Sequence, residues 1–69
     1  MSYEEECQEA LRLQEDFVRS LRFEAAASGA EEQYRELNGA EKLLKELRAH
    51  VLHTITDPDV AARILNGTF

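Results

Sequence analysis

Three kinds of side chain in this 69-residue chain could do chemistry: two histidines, one cysteine and an excess of carboxylates. His50 and His53 stand three apart with Glu46 one turn earlier, so a helix would bring two imidazoles and a supporting carboxylate near one metal ion. A helical wheel separates them, however. His50 falls at the edge of an apolar stripe and His53 well out on the polar face. The Glu-x-x-His spacing of di-iron helical bundles does not occur either, so no metal or other cofactor is expected. Cys7 would need a histidine base and positive surroundings to act as a nucleophile. Its neighbours are Glu4, Glu5, Glu6 and Glu9, and it sits on an apolar stripe, which reads as a core position. Carboxylates are abundant, but catalytic use needs a concave pocket that a chain of this size does not build. There is no Gly-rich phosphate loop, no Ser-His-Asp arrangement and no basic patch interleaved with aromatics. The residues do not describe an enzyme.

Composition narrows the partners. Fourteen acids against 8 bases give a net charge of −6. Seven of the acids precede Gly29, against Arg12, Arg19 and Arg22. Such a surface repels nucleic-acid phosphates and anionic membranes, so neither is expected as a direct partner. It suits a protein with a basic surface, such as a DNA-binding transcription regulator; equally, the acidity serves solubility. No apolar run approaches the roughly 20 residues of a membrane span. MSYEEE lacks the basic and apolar regions of a signal peptide, and the expected location is the cytoplasm. A lone cysteine fits a reducing compartment and excludes both an internal disulfide and a cysteine metal framework.

The elements that would carry these residues are helical. From Leu37 to Ile55, apolar residues Leu37, Ala40, Leu44, Leu47, Val51 and Ile55 recur at steps of three and four, the period of an amphipathic helix. Upstream, Tyr3, Cys7, Leu11, Gln14, Val18, Leu21 and Ala25 repeat the pattern, with Leu13 and Phe17 broadening it. Ser2 and Glu5 form a capping box, and Glu4, Glu5 and Glu6 complement the helix dipole. The first helix is predicted over 3–27 and ends at Ser28-Gly29. The second is predicted over 30–55. Asn38-Gly39 could break it, but Tyr34 and Leu37 stay in phase with Leu44 and Ile55, which favours one continuous helix. Glu31 with Arg35 and Glu41 with Lys45 are spaced as supporting ion pairs. Asp57 and Pro58 open a short third helix over 58–65, closed by Asn66-Gly67, with Phe69 as an apolar clamp.

The fold expected is all-α: one domain, an antiparallel helical hairpin with a short third helix. The apolar faces are wider than a two-helix seam needs. Either a second hairpin covers the excess in a four-helix bundle, which we favour for so short a chain, or the third helix covers it within one copy. The dimer or core positions are Leu11, Phe17, Val18, Leu21, Leu37, Leu44, Leu47, Val51 and Ile55. Phe23 projects from the opposite side of the first helix; with Arg19 and the run Glu4-Glu5-Glu6 it is a candidate partner-binding residue, or else it packs against the other subunit. Two functions suit such a molecule: a binding module that blocks or redirects a larger protein, and an assembly or scaffolding subunit of a multiprotein particle. The long helix, the Gly-interrupted helix and the short tail, with Tyr34, Leu37, Gly39 and Leu43-Leu44, resemble small acidic accessory proteins of bacteriophages, of the helical-hairpin, anti-activator type. That resemblance implies an inhibitor of a host regulator acting in the host cytoplasm.

Overall fold

Ser2 starts the first helix by placing its hydroxyl where the amide of Glu5 donates to it at 3.2 Å, so the Ser2 half of the predicted box is formed. The computed structural model describes residues 2–69. Helix α1 spans Tyr3–Ser28, α2 Glu31–Thr54 and α3 Pro58–Asn66, and among the described residues there are no strands. Gly29 ends α1 in the left-handed region (φ 67°), where its amide donates to the carbonyl of Ala25 at 2.8 Å. A side chain there would be strained, which is why glycine closes this helix.

The starts of α1 and α3 fall where the sequence places them, and the other four boundaries differ by one residue. Ser28 stays in α1, while Ala30 and Ile55 flank α2 in extended conformation rather than belonging to it. The amide of Ile55 still donates to Val51, which caps the last turn. Helix α2 runs unbroken through Gly39. The cost of an internal glycine, about 1 kcal/mol relative to Ala, is offset by Leu37, Ala40 and Leu44, which pack on α1 on either side of it. Asp57 caps α3 by accepting from Asp59 at 2.9 Å, and Pro58 occupies the first helical position. Gly67 (φ 73°) closes it as expected, with Asn66 still helical one residue past the predicted end and Thr68 donating to Arg63 at 2.9 Å.

The start of α1 lies against the end of α2, with the Tyr3 hydroxyl 3.2 Å from Thr54 Oγ1. Near the middle, Gln14 Nε2 donates to the Ala40 carbonyl at 3.0 Å. Two buried clusters hold the pair. Val18, Leu21, Ala25, Leu37 and Ala40 form one, towards the α1–α2 turn. Leu11, Val51, Ala61 and Ile64 form the other, where α3 folds back, and Leu44 packs against both.

Several expectations need correction. Phe17, expected in the core or the dimer seam, is 53% exposed and so outside the core of this chain. Leu44, Leu47 and Ile55 are half-buried at the edges of the clusters, whereas Leu11, Val18, Leu21, Leu37 and Val51 are buried as expected. Phe69 is not a buried clamp; its ring remains largely exposed and its amide donates to Gln8 Oε1 at 2.6 Å. Glu41 meets Arg22 across the helices at 3.5 Å instead of pairing with Lys45, while Glu31 and Arg35 do pair at 3.1 Å.

Candidate protein-binding face

Helix α3 covers only one of the two grooves between α1 and α2. On its side, Gln8 reaches Phe69, and Glu15 meets Arg48 at 3.4 Å beside Leu65. On a wheel advancing about 100° per residue, Gln8, Glu15 and Arg22 share one flank of α1. Tyr3, Ala10, Leu13 and Phe17 fall on the opposite flank, and Leu43, Leu47 and His50 fall on the matching side of α2. This second groove is open. Its lower part is lined by Tyr3, Cys7, Ala10, Leu47 and His50, with Glu6 at its edge. The Tyr3 hydroxyl bridges the two helices there, 3.0 Å from Nε2 of His50.

Exposure makes this groove the notable surface of the molecule. Leu13 (55%), Phe17 (53%), Tyr3 (48%) and Leu43 (47%) all present large apolar area along it. A single exposed leucine needs no explanation, but a contiguous row of apolar side chains marks an interaction surface. Gly39 adjoins the row, and nothing lies within 4 Å of the position its Cβ would take, so another backbone has room to approach. Cys7 is half-buried against the lower cluster, a packing position rather than a displayed thiol.

The predicted partner-binding residues are not brought together. Glu4, Glu5 and Glu6 project in three directions around the first turn, and Glu5 stands about 27 Å from Phe23 at 1.5 Å rise per residue. Phe23 is 77% exposed on the side of α1 away from α2. Arg19 is near it but is held by Asp16 at 3.3 Å. On the same side Arg12 joins Glu9 at 2.6 Å and Asp16 at 3.5 Å. The hydrogen bond from Arg12 holds the Glu9 carboxyl below its ordinary 4.5, outweighing a small opposing effect of burial, and the same contact raises Arg12. Of the groove residues, Leu13 and Leu43 were visible only as extra width of the apolar stripes. Ala61 carried no signal except its spacing with Ile64 and Leu65.

Among the described residues no three His, Cys, Asp or Glu side chains converge on a point, and His50 is engaged by Tyr3 rather than by His53. No described helix is long and apolar enough to cross a membrane. Comparison of the chain with family models, with curated proteins and with solved structures finds no match. The molecule is thus defined by its own architecture: a three-helix all-α chain with one open apolar groove.

Proposed function

We propose that this chain is a non-enzymatic protein–protein interaction module. Helices α1 and α2 act as an antiparallel hairpin braced by α3, and the hairpin dimerises into a four-helix bundle. The acidic exterior of the bundle then engages the basic surface with which a transcription regulator contacts DNA or assembles. In that role it is a phage-type inhibitor, or anti-activator, working in the host cytoplasm. The observation that supports the module is the row of exposed apolar side chains, Tyr3, Leu13, Phe17 and Leu43, along the groove that α3 leaves open. A net charge of −6 supports a basic protein as partner and disfavours nucleic acid.

The test is affinity purification of the tagged chain from bacterial lysate, with light scattering and mass spectrometry of what co-elutes. A regulator at fixed stoichiometry, whose operator binding in a gel shift falls as the chain is added, is the expected result. Phe23→Ala should leave the fold intact and weaken that complex, as read by calorimetry. Recovery of particle components in large ordered multimers would replace the inhibitor with an assembly subunit.

A further inference from the structure

The open groove commits to an occupant when its area and its charges are considered together. The chain exposes 5030 Å². A folded monomer of 7.9 kDa is expected to expose roughly 4,400 Å². The excess, about 600 Å², approaches the roughly 800 Å² that each partner buries in a standard interface. The radius of gyration, 13.7 Å, likewise exceeds the roughly 11 Å of a compact chain of this length. One long face is therefore missing its cover.

The α1 edge of that face carries acids alone, whereas the α2 edge carries both signs. The outer edge of α1 carries Glu6 and Glu24; that of α2 carries Arg35, Lys42 and His53, with Glu46 and Glu32 nearer the groove. Two hairpins can meet face to face in two ways. If the two-fold axis crosses the helices, α1 lies along α1 and Glu6 comes level with the partner's Glu24, so like charges meet. If the axis runs along the helices, α1 lies antiparallel to α2 of the other copy. Height along the bundle is then preserved, so residues level within one hairpin, as Tyr3 is with Thr54, are level across the interface. Glu24 then meets the partner's Arg35 and Glu6 the partner's His53. Opposite charges at matched heights set register and orientation in helical pairs.

We infer that the open groove receives a second copy of this chain, with the two-fold axis parallel to α1 and α2, Leu13, Phe17 and Leu43 in the shared core, and Glu24 beside the partner's Arg35. This rests on the proposal that the chain is a hairpin interaction module, and adds the face, the axis and the register. In the dimer the groove is closed, which leaves Phe23 and the acidic outer turns to meet any other protein.

Sedimentation equilibrium of the full chain, with circular dichroism on each variant, tests it. The wild type should sediment at twice its 7.9 kDa mass. Phe17→Asp changes an exposed side chain, so helicity should persist while the dimer dissociation constant rises at least about a hundredfold. Glu24→Lys and Arg35→Glu should each weaken the dimer about tenfold, because each removes two rim pairs. The double reversal should return it to within about threefold of wild type. A wild type that stays monomeric at about 100 µM overturns dimerisation itself. A dimer indifferent to Phe17→Asp places the contact on another face and leaves the module standing. A dimer tightened by Glu24→Lys, which would relieve repulsion from the partner's Glu6, overturns the axis.

Discussion

Replacing Ile64 by Ala isolates what α3 contributes. Ile64 is only 1% exposed and joins Leu11 of α1, Val51 of α2 and Ala61 in the lower cluster, to which every helix contributes. Removing a buried isoleucine to alanine costs 2–5 kcal/mol, by lost transfer energy and by the cavity left behind. The total stability of a chain this short is roughly 3–10 kcal/mol at 0.05–0.15 kcal/mol per residue. A loss of about 3 kcal/mol is then a third or more of the whole. In thermal melts at fixed chain concentration, followed by ellipticity at 222 nm, it should lower Tm by about 12–24 °C, taking about 4–8 °C per kcal/mol for a domain of this size. Ile64→Val should lower it by only a few degrees, and Leu52→Ala, at a site 62% exposed, should be close to neutral. If Ile64→Ala melts within about 3 °C of wild type, α3 does not brace the pair, and the groove assigned to it is as open as the other.

Other outcomes follow from the backbone and the surface charges. Gly39→Ala should stabilise the monomeric chain by about 0.5–1 kcal/mol in urea titration at low concentration, since the added methyl meets nothing within 4 Å. A destabilised variant would mean α2 is not continuous there. Glu9 has its folded value lowered by the hydrogen bond from Arg12, so its contribution to stability is complete above the unfolded value and disappears as pH falls through the folded one. Carboxyl NMR should show Glu9 titrating below 4.5, and Arg12→Gln should return it to the ordinary value.

The helices and their ends were legible in the sequence because each rests on local chemistry. Steps of three and four marked the buried stripes, and Ser2, Gly29, Asp57-Pro58 and Gly67 supply cap and turn geometry without help from distant residues. Errors of one residue at Ser28, Ala30, Ile55 and Asn66 fell at terminal turns, where helix ends fray. Continuity through Gly39 was a closer contest, since a local penalty opposed an unbroken stripe, and packing of Leu37, Ala40 and Leu44 against α1 resolved it.

What the sequence by itself determined was periodicity, and hence which residues are apolar on which side of each helix. It did not determine which side of the pair α3 would take. Phe17 read as the edge of one broad stripe and Leu44 as the centre of the other; Leu44 lies against both clusters while Phe17 is left 53% exposed. That difference arises from docking of α3 over Gln8, Glu15 and Arg48, a contact between positions more than fifty residues apart in the case of Gln8 and Phe69. A helical wheel records direction around one axis; only the arrangement of three axes decides which directions remain open to water.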